Sequence, residues 1–151
     1  MLRFNSDHKF KIMQIADTQE IPAVSPDTLS LINNALDREK PDLVIFTGDQ
    51  IKGYSKKFKK DPAIIESTID ILVEPIAKRN IPFMVTYGNH DAQCGVDNRG
   101  QYKFYAKYDN FISGNLRNAD DVGTADIQIY SSTEDKPVFE LYIIDSHGKA
   151  K

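Results

Sequence analysis

The sequence predicts an α/β fold, a β-α-β-α-β parallel unit followed by a third helix and a β-hairpin, and three observations carry that prediction. Short apolar runs at residues 10–16, 42–47 and 82–87 are separated by two segments whose apolar residues recur at helical spacing. Each intervening segment is long enough for a helical crossover between parallel neighbours. Each apolar run also ends in a polar turn: Asp17, then Gly48-Asp49, then Gly88-Asn89-His90-Asp91. In an open α/β sheet those ends are where loops converge and ligands bind.

Taken in order, residues 10–16 form a short run suited to a buried strand, and residues 17–25 read as a loop. Ser25 caps a helix with Pro26 at its first position. Leu29, Ile32, Ala35 and Leu36 then place an apolar stripe on residues 26–39, and Pro41 ends the helix. Residues 42–47 are the second strand, and 48–60 a long polar loop whose Lys56, Lys57, Lys59 and Lys60 read as a solvated face. Asp61-Pro62 opens the second helix, with Ile64, Ile65, Ile69, Leu72, Val73, Ile76 and Ala77 on a broad apolar face, and Pro75 is expected to kink it. Residues 82–87 are the third strand. After a polar loop, a helix is expected over 100–111, with Tyr102, Phe104, Tyr105 and Tyr108 as packing residues. Two last strands, 127–130 and 138–144, flank the turn-forming residues 134–137 and predict an antiparallel hairpin.

Composition sets broad limits. With 40% hydrophobic and 27% charged residues the chain reads as one ordinary globular domain, residues 1–151. A balance of 19 basic against 22 acidic residues, net charge −3, carries no nucleic-acid signature. The single cysteine, Cys94, excludes an internal disulfide and fits a reducing compartment. No stretch approaches the ~20 apolar residues of a membrane span. A cytoplasmic protein is the expectation.

The chemistry lies in the strand ends. A lone aspartate behind a strand is usually a turn or cap residue. Three acidic or amide ends in consecutive β-α units are harder to assign to turns alone. Asp17 and Asp49 would repel each other unless a cation or shared proton compensates, which favours a metal. Asp49 is the candidate bridging ligand, and Asn89 offers a neutral oxygen for a second metal. His90 is placed to donate a proton or stabilise charge on a leaving oxygen. Asp91 is expected to hold His90 in one tautomer.

Asp17-Thr18-Gln19, Gly48-Asp49-Gln50 and Gly88-Asn89-His90-Asp91 resemble the first three blocks of the calcineurin-like metallophosphoesterase superfamily. Residues 10–17 and 40–51 resemble its purple-acid-phosphatase-29-like branch, and Leu141-Tyr142-Ile143-Ile144-Asp145-Ser146 is similar to the strand after the third block. The resemblance implies the N-terminal half of an αββα sandwich and a metal-dependent hydrolase of phosphoesters. It implies two divalent metal ions, Mn, Fe or Zn with Mg also admitted, that activate a hydroxide for in-line attack at phosphorus. Asp17, Gln19, Asp49 and Asn89 would be the metal residues, with His90 and Asp91 catalytic.

Two departures qualify it. Gln19 stands where the family has histidine, and an amide oxygen is a harder, weaker ligand than imidazole. The family also completes its site with later histidines, whereas this chain has only His8, His90 and His147, the last read as an exposed loop imidazole. The site is therefore expected to be incomplete in a chain truncated at its C-terminal side, with weak or no activity alone. A sheet face left uncovered would suit self-association, so the alternative function is a non-catalytic protein-association module. A nucleotide-binding domain ranks last, because no glycine-rich loop follows the first strand.

Overall fold

The computed structural model describes residues 1–116 and 121–148. Among the described residues, seven strands and three α-helices follow in the order β1 (Leu2–Arg3), β2 (Ile12–Ile15), α1 (Pro26–Glu39), β3 (Leu43–Thr47), α2 (Pro62–Ala77), β4 (Phe83–Thr86), α3 (Asn98–Ala106), β5 (Asn115–Leu116), β6 (Ala125–Tyr130) and β7 (Pro137–Ile143). The β-α-β-α-β unit is formed as the periodicity predicts. β2, β3 and β4 make a parallel sheet in that order, with Ile15 beside Phe46 and Phe46 beside Val85.

β3 is the central strand and its apolar run serves two layers. Val44 and Phe46 pack with Ile32 and Leu36 of α1, with Ile65, Ile69, Leu72 and Ile76 of α2, and with Tyr105 of α3. Leu43 and Ile45 face the other way and join Met84, Ala125, Ile127 and Ile143 in a second core. The molecule is thus a helical layer on one sheet and a second sheet on the other face, which is why β3 reads as continuously apolar, not alternating.

The second sheet has the order β1-β6-β5, with β7 paired antiparallel to β6. The predicted hairpin is therefore present, joined through residues 131–136. Its parallel partner β1 was not legible, because two residues carry no periodicity; Leu2 pairs with Ile129 and Arg3 with Tyr130.

Three local expectations are corrected. The first strand is shorter than residues 10–16 and is not buried: β2 is an edge strand with an alternating pattern, and Ile12 is 39% exposed. The third helix begins and ends earlier than 100–111, since the Asp97 side chain accepts from the Gly100 amide at 2.7 Å and so caps it at Asn98. In α2, Pro75 lies in the last turn, where the helix has almost ended, and the helix runs on to Ala77.

Capping matches the sequence elsewhere. Ser25 and Asp61 accept from the amides of Asp27 and Ala63, each with proline at the first helical position. Phe58, inside the polar loop, is 1% exposed and pins that loop to the core while Lys56 and Lys57 stay in solvent.

Phe46 is fully buried, with ring centroids 6.1 Å from both Phe83 and Tyr105. Replacing it with alanine removes its ring contacts with Phe83 of β4 and Tyr105 of α3. The expected cost is about 3–5 kcal/mol in urea denaturation, with an unchanged slope.

Candidate metal centre

Because β2, β3 and β4 run parallel and in register, their carboxyl ends emerge side by side. The following loops stay joined: the Asp17 amide donates to the Gly48 carbonyl at 3.0 Å and the Gln19 amide to the Asp49 carbonyl at 2.9 Å. A further parallel bridge pairs Glu20 with Ile51. The approach of the β3 and β4 ends leaves no room for side chains at two positions. A Cβ on Gly48 would sit 2.3 Å from the Gly88 nitrogen, and one on Gly88 would sit 2.2 Å from Asp49 Oδ1.

The backbone at this edge is strained. Asp17, Gln19 and Asp49 all adopt left-handed conformations, with φ of 53°, 49° and 53°. Such values are uncommon outside glycine and persist where surrounding contacts impose them. Here three of the sequence-predicted ligand residues share the property.

Asp91 has a different place from the one its sequence position suggests. Its carboxylate is buried and accepts from the amides of Asp49 at 2.7 Å, Gly88 at 2.8 Å, Gln50 at 3.0 Å and Ile51 at 3.4 Å. The expectation that it orients the His90 ring is corrected: both of its oxygens are committed to backbone amides. The ring Nδ1 instead lies 3.1 Å from Gln93 Oε1. Burial pushes the Asp91 carboxyl above its ordinary pKa and the Asp49 charge adds to that, while the amides of Gly88, Asp49 and Ile51 pull it down.

Asp49 is 7% exposed, and its Oδ1 accepts from the His90 amide at 2.8 Å. Gln19 Nε2 lies 3.4 Å from Asp49 Oδ2, so the two predicted ligands are adjacent. Asn89 is exposed, and its Nδ2 lies 3.2 Å from His90 Nε2. The Asp17 carboxylate is exposed and meets no cation or hydrogen-bond donor among the described residues. Against the His90 ring stands Tyr54, its centroid 4.8 Å away at 62°, and Lys52 Nζ lies 5.3 Å from the Tyr54 centroid.

The residues fit a hard divalent cation. Asp17 and Asp49 supply carboxylates, and Asn89 and Gln19 can add amide oxygens, a donor set suited to magnesium or manganese more than to soft metals. The donor set itself, carboxylates and amide oxygens on loops joined by backbone hydrogen bonds at adjoining strand ends, is the observation that favours a cation here.

A second group with metal-ligand spacing was not foreseen. Ligand atoms of Asp121, Asp145 and His147 all lie within 4.8 Å of one another. His147 is exposed, as expected, yet its ring nitrogens stand 3.8 Å from Asp121 Oδ1 and 3.9 Å from Asp145 Oδ2. Asp145 is held from behind by Asn98, whose Nδ2 donates at 3.1 Å. Asp121 lies on no motif and reaches the group only through the fold. Gln93 and Tyr54 were also missed. Gln93 had one usable signal, its position three residues past His90, which puts both on one face of the short helical turn Asp91–Cys94.

Comparison with known proteins gives a consistent result. The sequence model of the family described as Calcineurin-like phosphoesterase matches residues 10–150. Among curated proteins, "Phosphatase DCR2" of Saccharomyces cerevisiae is 34% identical over 97% of this chain and 28% of its own length. "Probable inactive purple acid phosphatase 14" of Arabidopsis thaliana is 27% identical over 99% of this chain and 43% of its own. "Probable inactive purple acid phosphatase 29" of the same plant is 28% identical, over 96% and 42%. The chain spans less than half the length of each of these relatives.

Asp91→Ala strips the partner from four amides at the junction of two strand ends. The expected loss is about 3 kcal/mol or more by urea denaturation, with faster hydrogen exchange at Asp49 and Gly88. The sign of the pH effect follows from the raised carboxyl. Its contribution is full below the unfolded-state value, near pH 4, and falls as pH rises through the folded-state value. Asp91→Asn is expected to remove that slope, measured as stability against pH for both proteins.

Proposed function

The chain belongs to the calcineurin-like phosphoesterase family, and on that footing we propose that it carries part of the active site of a metal-dependent phosphoester hydrolase. One observation carries the reading. The loops that carry Asp17, Asp49 and Asn89-His90 follow three parallel strands in register and are tied to one another by hydrogen bonds.

Asp17, Asp49 and Asn89, with the amide of Gln19, would hold the cations. Bound there, two divalent ions would supply Lewis-acid stabilisation of charge on phosphate oxygens and activate water for in-line attack. Asp49 would be the ligand shared by both cations in this reading, a buried carboxylate held in place by the His90 amide. The left-handed backbone at Asp17, Gln19 and Asp49 keeps these side chains at one edge before any ligand arrives, a form of preorganisation. His90 stands on the rim with Nδ1 against Gln93 and Nε2 against Asn89, so it would serve the leaving oxygen only with a proton on Nε2 in place of the Asn89 contact, and the Tyr54 ring limits how far its imidazole can turn.

A second reading is a non-catalytic role in protein association. It draws on Gln19 in the histidine position and on two relatives whose names carry the word inactive.

Hydrolysis of p-nitrophenyl phosphate with Mn²⁺, by a polypeptide that contains this chain, separates the two. The hydrolase reading expects turnover that Asp49→Asn reduces to the no-protein background and His90→Ala slows by about 10²–10⁴-fold. Absence of Mn²⁺-dependent turnover with Asp49 intact would sink it. For residues 1–151 alone, little turnover and weak Mn²⁺ binding are expected, because few protein ligands leave each cation largely hydrated. Submicromolar affinity by calorimetry would contradict that. Gln19→His is expected to shift preference from Mg²⁺ toward Zn²⁺ in the same titration.

A further inference from the structure

We propose that Gln93 is a positioning residue that holds neutral His90 as its Nδ1–H tautomer and thereby turns the Asn89 side-chain amide so that its oxygen is left free for a cation. The argument is a chain of donors and acceptors. Gln93 Nε2 lies 3.1 Å from the Asn89 backbone carbonyl, which can only accept, so the Gln93 amide is oriented with its nitrogen on that side. Its Oε1 therefore faces His90 Nδ1, at 3.1 Å, and an amide oxygen can only accept. The proton must then be on Nδ1.

A neutral imidazole carries one N–H, so Nε2 presents its lone pair. The atom opposite, 3.2 Å away, is Asn89 Nδ2, a donor. The three side chains close a cycle from the Asn89 carbonyl through Gln93 and His90 to the Asn89 amide. Its outcome is that Asn89 Oδ1 takes no part in the cycle. Were the imidazole in the other tautomer, Nε2–H would call for Oδ1 and turn it toward the ring.

The surroundings favour one ring orientation. The Tyr54 ring packs on His90, and the His90 backbone is tied by its amide to Asp49 Oδ1 at 2.8 Å. Gly53 permits the close passage of the chain, since a Cβ there would meet the His90 carbonyl. Asp91, the acidic neighbour that could have held the imidazole, is committed to the amides of the β3 and β4 ends. Gln93 supplies the acceptor in its place.

The tautomer stands on hydrogen bonds alone, while the use of Asn89 Oδ1 rests on the phosphoesterase reading. Two measurements keep these apart. Ring ¹⁵N resonances, recorded without metal at a pH where His90 is neutral, report the tautomer directly. The chain has only three histidines, so assignment is short. The wild-type ring is expected as Nδ1–H, Gln93→Glu retains it because a carboxylate still accepts, and Gln93→Leu moves the ring toward Nε2–H. A wild-type ring read as Nε2–H, or a ring unchanged in Gln93→Leu, overturns the proposal. Mn²⁺ titration by calorimetry tests the second part: binding about ten- to a hundredfold weaker in Gln93→Leu is expected for loss of an orienting partner. Equal Mn²⁺ affinity in wild type and Gln93→Leu overturns the coupling to Asn89. This titration uses a polypeptide that contains this chain; if that polypeptide binds no Mn²⁺ at all, the result counts against the phosphoesterase reading, and the ring resonances then decide the tautomer alone.

Discussion

The buried carboxylate of Asp91 is the contact on which the rest of the site depends. It gathers amides from the turn after β3 and from Gly88 after β4 into one acceptor. Those amides belong to the ends of two strands, where the parallel ladder stops and no neighbouring carbonyl remains to take them. A buried backbone N–H left without a partner costs on the order of 1–3 kcal/mol. Asp91 satisfies several at once, and in doing so sets the spacing of Asp49 and Asn89. Gln101, itself buried, secures the arrangement from behind by donating to the Asp91 carbonyl at 2.8 Å and the Val96 carbonyl at 2.9 Å.

That solution has an electrostatic consequence. Asp49 stands next to Asp91, and the two carboxylates would destabilise each other in a dry interior. The backbone separates their duties. Asp91 turns inward to the amides, whereas Asp49 takes one backbone amide, that of His90, and keeps its other oxygen toward Gln19 and the open edge. One carboxylate is structural and the other remains available. The left-handed backbone at Asp17, Gln19 and Asp49 belongs to the same economy of space, because a sharp exit from each strand is what brings the side chains to a common rim.

Much of this was legible in the residues. The continuous apolar run of β3 marked a strand buried on both faces, and the two crossover helices followed from their stripes and their serine or aspartate caps. Glycines at 48 and 88 were visible as turn residues, though their reason, contact between the two strand ends, was not. The edge position of β2 was unreadable, since an edge strand and a central one can share an apolar run; its neighbours decide. The two-residue β1 and the Asp121–Asp145–His147 group were hidden for a related reason, as both depend on segments far apart in the chain meeting across the second sheet.

What the sequence by itself determined is which chemical groups arrive at the strand ends, because local patterning sets where each strand stops and hence which residues follow it. Asp17, Asp49 and Asn89-His90 are of that kind. What only the tertiary structure decided is the role each group is free to play. Asp91 reads in sequence as the neighbour of His90, but a side chain's duty is set by the donors within hydrogen-bond reach, and all of these but the Gly88 amide come from the turn after β3, some forty residues away. With Asp91 turned inward to those amides, Gln93, three residues past His90 on the same short helical turn, is the acceptor left within about 3 Å of the imidazole.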